Sequence, residues 1–94
     1  MVYIVTYDLK KPDRNYEGLF NGIKSFGTWW HQTGSVWVIV TTKTSIEVRN
    51  YLEQFIDPND KLYVGQLMNN WAAVGFKQEE YDWLNRIPNA SWTN

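Results

Sequence analysis

The sequence predicts a small α+β domain in which two helices pack on one face of an antiparallel sheet. Strand-like and helix-like segments follow one another as strand, helix, strand, strand, helix, strand over most of the 94 residues. The first segment carries apolar side chains on both faces, which is typical of a strand in the middle of a sheet. Two strand-like runs are separated by Thr33-Gly34, which predicts a hairpin. This order is that of the ferredoxin-like βαββαβ sandwich, here followed by an extra C-terminal strand and a short helix.

The first strand is predicted over residues 2–9, where VYIVTYDL is rich in β-branched and aromatic residues. Asp13 or Asn15 is expected to cap the helix that follows. That helix is predicted over residues 15–26, because apolar residues recur there at steps of three and four. The members of this stripe are Tyr16, Leu19, Phe20, Ile23 and Phe26.

The hairpin strands are predicted over residues 28–32 and 35–42. A second helix is expected to begin after Thr44, because Glu47 stands three residues later, which is the spacing of a capping box. A strand over residues 61–67 completes the six elements. The apolar stripe of the second helix consists of Val48, Tyr51, Leu52 and Phe55.

The chain continues beyond these six elements. A turn is followed by a predicted short strand over residues 71–76. A terminal helix is predicted over residues 78–87, because acidic residues stand in its first turn and Pro88 lies just beyond its end. We therefore expect one domain over residues 1–88 and a flexible tail over residues 89–94.

The composition argues against several classes of protein. Nine basic and ten acidic residues give a net charge of −1, whereas proteins that bind nucleic acid tightly usually carry a basic surplus. The chain has no cysteine, which excludes disulfides and thiolate metal sites. Neither a secretory signal segment nor an apolar run of membrane-spanning length is present, so we expect a cytoplasmic protein without a membrane partner.

One local basic cluster stands between the first strand and the first helix. It consists of Lys10, Lys11 and Arg14. Such side chains can follow a phosphate backbone, and a solvated loop explains them equally well. If the protein contacts nucleic acid, these three residues are the expected contacts.

Aromatic residues are abundant, with six Trp, six Tyr and four Phe. Strand alternation places Trp29 and His31 on one face and Trp30 and Gln32 on the other. The adjacent tryptophans therefore cannot form one platform for stacked bases, and we expect them to build the core or a dimer contact. His31 is either a packed structural residue or a general base. The open face of the sheet is expected to be covered by a second copy in a homodimer.

Two segments resemble a known family, namely VTYDL before the first helix and HQTGSVW at the opening of the hairpin's second strand. They resemble the CRISPR-associated protein 2 family and, more distantly, the virulence-associated protein D ribonucleases. Tyr7-Asp8 match the Tyr-Asp that ends the first strand of that family. A looser match is formed by Gln32, Ser35, Val36 and Trp37. The chain also resembles a group of short bacterial proteins that share a Trp-Trp-His element.

This resemblance implies a homodimer in which two Asp8 carboxylates face each other and hold a divalent ion such as Mg²⁺. Such an ion can activate water for phosphodiester cleavage, so the implied activity is a metal-dependent endonuclease acting on RNA or DNA through Asp8. In the family the last strand often pairs with the partner protomer. The residues we accordingly expect at the dimer interface are Trp37, Trp71, Val74 and Phe76.

Other interpretations remain open at this point. Asp8 can instead close the strand and cap the turn after it, as Asp commonly does. The protein is then a non-catalytic dimeric scaffold or interaction module. A ribonuclease toxin is a third alternative. The chain also departs from the family, because Arg14 stands among Asp13, Asn15 and Glu17 where the family is rich in arginine, and because of its extra terminal helix.

Overall fold

The strand β1 (Val2–Asp8) lies in the middle of a four-stranded sheet in the computed structural model, which describes residues 1–11 and 13–92. Its neighbours are β3 (Val36–Val40) and β4 (Lys61–Gln66), and β2 (Thr28–Thr33) pairs with the other side of β3. All of these pairings are antiparallel. The strand order β2-β3-β1-β4 is that of the ferredoxin-like fold, which confirms the predicted α+β class.

The helices α1 (Glu17–Lys24) and α2 (Ser45–Leu52) pack on one face of the sheet. The predicted capping box is confirmed, because Thr44 Oγ1 accepts a hydrogen bond from the Glu47 N–H at 3.1 Å and Glu47 Oε1 accepts one from the Thr44 N–H at 2.9 Å. At α1, Asn15 Oδ1 accepts a hydrogen bond from the first N–H of the helix at 2.9 Å. Within the described residues, the structure contains no helix of the length and apolarity needed to cross a membrane.

Apolar side chains between the sheet and these two helices form the main core. Burying each such side chain contributes about 1.5–3 kcal/mol. Trp37 is 2% exposed and belongs to this core. Its predicted place at a dimer interface is corrected here, because strand alternation turns Trp37 toward the helices, which cover it within the protomer. The other fully enclosed members are Tyr3, Val5, Leu19, Ile23, Ile39, Val48 and Leu52.

Gly22 lies where α1 packs closely against the end of α2. A Cβ atom at Gly22 would lie 2.9 Å from the ring of Phe55 and 3.2 Å from the side chain of Leu52. Phe55 ends the short 3₁₀ turn Glu53–Phe55 that extends α2. The absence of a side chain at Gly22 therefore sets how closely α1 packs against the end of α2.

The opposite face of the sheet is partly covered by the chain itself. The helices α3 (Gln78–Asn85) and α4 (Asn89–Trp92) lie on it. Leu84 of α3, Ile87 between the two helices and Trp92 of α4 are buried, and they pack with Val2, Trp30 and Val38 of the sheet. A second copy is therefore not required to cover this part of the face.

Two predictions about the C-terminal region differ from the structure. Residues 71–76 form no strand, because the segment leaves β4 and crosses the face of the sheet, where Phe76 packs on Trp30, and so does not run along an edge. The predicted flexible tail is a helix over residues 89–92, held by Trp92, which is 5% exposed. Positions 93 and 94 of that predicted tail lie outside the described residues.

Candidate functional site

Asp8 is the last residue of β1 and faces the side of the sheet that carries α3 and α4. It stands in register opposite Lys61 of β4. Its side chain is 57% exposed, and Oδ2 lies 2.7 Å from the Nζ of Lys10 in the same protomer. The carboxylate is therefore accessible from solvent and already paired with an ammonium group.

The three cations of the predicted nucleic-acid cluster all have carboxylate partners. Lys10 is paired with Asp8 at 2.7 Å. Lys11 Nζ lies 3.6 Å and Arg14 Nη1 lies 2.8 Å from Oδ2 of Asp57. Exposed ion pairs of this kind contribute about 0–1 kcal/mol each. The positive charge is thus largely balanced locally, although weak pairs of this strength can exchange partners.

Asp60 ties the loop after β1 to the loop before β4, and the sequence analysis missed it. Its Oδ1 accepts a hydrogen bond from the Lys10 N–H at 2.7 Å. Its Oδ2 accepts hydrogen bonds from the Tyr16 hydroxyl and from the Asp57 N–H, each at 2.8 Å. The only sequence signal near Asp60 is DPND at residues 57–60, which by itself predicts no more than the end of a helix.

These contacts shift two pKa values in opposite directions. Burial favours the protonated form of Asp60, but the hydrogen bonds from Lys10, Asp57 and Tyr16 outweigh it and hold the pKa of Asp60 below its usual range. The pKa of Tyr16 is raised, first by burial and then by its hydrogen bond to the Asp60 carboxylate. Asp60 is therefore a structural anion that organises the base of the site.

The residues of one protomer do not fit a Mg²⁺ site. Magnesium prefers carboxylate oxygens and water in a near-octahedral arrangement. Asp8 offers one carboxylate, and both oxygens of Asp60 already accept hydrogen bonds. Across residues 1–11 and 13–92, no group of three His, Asp or Glu side chains comes close enough together to hold an ion. A metal at Asp8 would need ligands from a second copy.

An open hollow of about 610 Å³ adjoins Asp8 on the β4 side. The exposed ring of Tyr63 forms part of its wall. The hollow is broad and shallow, so it is better suited to a macromolecular surface than to a small enclosed ligand. Its lining residues are Thr6, Tyr7, Asp8, Asp60, Lys61, Leu62 and Tyr63.

The Trp-Trp-His segment packs on two faces of β2, as alternation predicts. The His31 ring stacks on Trp37 with the centroids 3.8 Å apart, and its Nε2 lies 2.7 Å from the carbonyl oxygen of Gly34. Trp29 lies 5.5 Å from Trp37 on the same side. Trp30 packs against Phe76 on the other side, at 5.3 Å. His31 therefore takes part in packing and in closing the hairpin.

The remaining predicted dimer residues differ in their surroundings. Phe76 packs within the protomer on Trp30. Trp71 donates a hydrogen bond from Nε1 to Asn69 Oδ1 at 3.1 Å, and the side chain of Val74 is 90% exposed. Their segment starts beside Val2, because the Leu67 N–H bonds to the Val2 carbonyl, so it begins at the opposite end of β1 from Asp8.

Comparison with protein families accounts for most of this architecture. A model of the family described as CRISPR associated protein Cas2 matches residues 1–73. The match includes all four strands, α1, α2 and Asp8, and it ends before α3. The chain therefore belongs to the CRISPR-associated protein Cas2 family.

Proposed function

We propose that this Cas2-family protein acts as a homodimeric interaction subunit, in which Asp8 is a structural and interface residue. The observation that supports this most directly is the pairing of Asp8 with its own Lys10 at 2.7 Å, beside Lys61 on the neighbouring strand. A carboxylate that is paired with one lysine and stands in register with a second is favoured as a charge partner. The same surroundings disfavour it as a metal ligand, because a divalent cation would have to displace or approach these ammonium groups.

The proposed dimer surface is the part of the sheet that α3 and α4 leave uncovered. Ile4 and Val36 are half-buried there and belong to neither apolar cluster of the described residues. Tyr63 is 63% exposed on the same face. An apolar strip of this kind, with charges at one end, is typical of a protein interface.

The charges at the end of this strip suit a twofold arrangement. Asp8 and Lys61 are neighbours of opposite sign on one face. In an isologous dimer the same patch meets itself, so Asp8 of one protomer can lie opposite Lys61 of the other. Complementary charges of this kind determine register and suppress other orientations. Trp71 and Val74, which are exposed beyond β4, are proposed to extend the contact.

A second candidate function is the metal-dependent endonuclease, with Mg²⁺ held between the Asp8 residues of two protomers. It is favoured by the 57% exposure of the Asp8 side chain at the end of a strand, where a second copy can reach it. Its ion pair with Lys10 is weak enough to be replaced. The two candidates thus differ in what faces Asp8 across the dimer, either Lys61 or another Asp8.

One pair of variants separates the two candidates. Asp8→Asn keeps the shape of the side chain and removes its charge, and Asp13→Asn removes a charge from an exposed position of the neighbouring loop. Mass is measured by light scattering, and cleavage of single-stranded RNA and duplex DNA is measured with Mg²⁺ and with EDTA. We expect a wild-type dimer, no Mg²⁺-dependent cleavage by any of the three proteins, and a weaker dimer for Asp8→Asn alone.

Two results would contradict the proposal. Mg²⁺-dependent cleavage that disappears in Asp8→Asn, with the dimer intact and Asp13→Asn fully active, would establish the endonuclease instead. A monomeric mass for the wild-type protein over the whole concentration range would remove the dimer and, with it, both candidates.

A further inference from the structure

The face of the sheet that carries Asp8 is apolar along most of its length but covered only in part. The covered part includes Val2, Val38 and Val40, which pack with α3 and α4. The uncovered part includes Ile4 and Val36. The register Val2↔Val40, Ile4↔Val38 and Thr6↔Val36 makes the two parts one continuous strip across β1 and β3.

The segment from α3 to α4, residues 78–92, is called here the C-terminal cover, and it packs on this face through an apolar cluster that also includes the partly buried Trp83. Leu84, Ile87 and Trp92 supply its buried side chains. The Trp30 indole donates a hydrogen bond from Nε1 to the Glu80 carbonyl at 3.0 Å. The cover lies beyond the part of the chain that matches the family, which ends at residue 73. It is therefore an addition that occupies a face of the shared sheet.

The connection to the cover imposes little constraint. Residues 68–75 contain no charged side chain and form no helix or strand. Among the described residues, no backbone–backbone hydrogen bond involves this segment. Gly75 has φ +91°, a conformation that glycine adopts without strain. Eight extended residues reach roughly 25 Å, so the cover can leave the sheet without unfolding it.

We propose that the C-terminal cover and a second copy of this chain compete for the same strip of the sheet. Release of the cover would expose Val2, Trp30, Val38 and Val40 next to the uncovered strip, and a larger apolar surface favours association. A second copy can cover this surface because an isologous dimer brings the same apolar strip of each protomer together. The cover thus limits the extent and the strength of the dimer. This inference rests on the dimer proposed above.

The test weakens the cover without altering the sheet. Leu84→Ala removes a buried side chain of the cover, and Asn85→Ala changes the exposed residue next to it. Dimer dissociation constants are measured by sedimentation, with circular dichroism as the check that the sheet remains folded. We expect Leu84→Ala to lower the constant at least about tenfold, because more molecules have the strip free, and Asn85→Ala to leave it unchanged. An unchanged or raised constant for folded Leu84→Ala would overturn the competition.

A covalent lock tests the same idea independently of Leu84→Ala stability. Thr28 of β2 and Ser91 of α4 line one hollow of about 290 Å³, and the chain has no cysteine of its own. Thr28→Cys with Ser91→Cys, joined by a bismaleimide, holds the cover on the sheet. The lock should make the dimer weaker than that of the wild type, and adding Leu84→Ala to the locked protein should not strengthen it. If Leu84→Ala still lowers the dimer dissociation constant of the locked protein about tenfold, the competition is refuted.

The outcomes separate this inference from the dimer proposal. If the wild type is a dimer and neither Leu84→Ala nor the lock changes its dissociation constant, the dimer proposal stands and the competition is rejected. A monomeric wild type whose Leu84→Ala variant dimerises supports the competition and rejects the dimer as the state of the wild-type protein. If both proteins stay monomeric, both proposals are wrong.

Discussion

The hydroxyl of Tyr16 donates a hydrogen bond to Oδ2 of Asp60 at 2.8 Å and so joins two loops that are 44 residues apart in sequence. Asp60 also accepts the N–H groups of Lys10 and Asp57. The loop that follows Asp8 is thereby fastened to the start of β4. The position of Asp8 and Lys10 depends on this partly buried anchor.

The Asp60 anchor makes stability dependent on pH in the acidic range. The pKa of Asp60 is lower in the folded protein than its ordinary value of about 3.9. The stability that ionised Asp60 contributes is therefore fully present above its ordinary pKa. It is lost as the pH falls through the lower pKa that Asp60 has in the folded protein. We expect Asp60→Asn to be less stable than wild type at neutral pH and to lose less stability below about pH 4. Urea unfolding midpoints across this range measure the effect, with Asp13→Asn as control, and equal acid sensitivity of wild type and Asp60→Asn would contradict it.

Gly22 is expected to tolerate no side chain while Phe55 is present. In Gly22→Ala the new Cβ would meet the Phe55 ring at 2.9 Å. Overpacking costs about 1–3 kcal/mol, which exceeds the gain of about 1 kcal/mol from replacing glycine in a helix. The variant should be destabilised in urea unfolding. In a Phe55→Ala background the same change should cost less, because only the Leu52 side chain then lies close to the new Cβ, and a loss of equal size in both backgrounds would show that Phe55 is not the cause.

Trp92 is expected to hold the end of the chain on the sheet. It is 5% exposed and packs in the cluster that includes Val2 and Leu84. Trp92→Ala should lower the free energy of unfolding by about 3 kcal/mol, the lower range for loss of a buried large aromatic side chain. Asn85→Ala, at an exposed position of α3, serves as the control. Stability equal to wild type would mean that residues 89–92 behave as the flexible tail predicted from sequence.

Asp57 is expected to suppress binding of nucleic acid. It lies 3.6 Å from Lys11 Nζ and 2.8 Å from Arg14 Nη1. Asp57→Asn frees both cations, so binding of single-stranded DNA should strengthen several-fold at about 50 mM salt and weaken again as salt is added. Fluorescence anisotropy of labelled DNA measures the dissociation constant at each salt concentration. Glu53→Gln makes the same change in net charge at an exposed position, and equal gains in both variants would assign the effect to net charge alone.

Much of the fold could be predicted from sequence, because its signals are local. Alternation over residues 28–32 placed Trp29 and Trp30 on opposite faces, and the structure confirms this. The Thr44–Glu47 capping box is confirmed for the same reason, since both partners lie within one turn. Side-chain periods of two and 3.6 are properties of neighbouring residues and need no knowledge of distant ones.

The candidate site was only partly predictable. Asp8 was found because a charged residue at the end of an apolar strand stands out in sequence. Asp57 and Asp60 were not found, because their partners Arg14 and Tyr16 are 43 and 44 residues away. Nothing in the spacing shows that these cations and carboxylates meet.

The sequence by itself determined the order of the elements, the central place of β1 and the faces on which its side chains lie, since these follow from periodicity and local capping. Only the tertiary structure decided that Trp37 lies inside the protomer, that Lys10, Lys11 and Arg14 are paired, and that residues 71–76 remain outside the sheet. A strand must run alongside the free edge of a sheet, and an ion pair needs a carboxylate within about 4 Å of the cation. Both conditions depend on which distant segments the fold brings together.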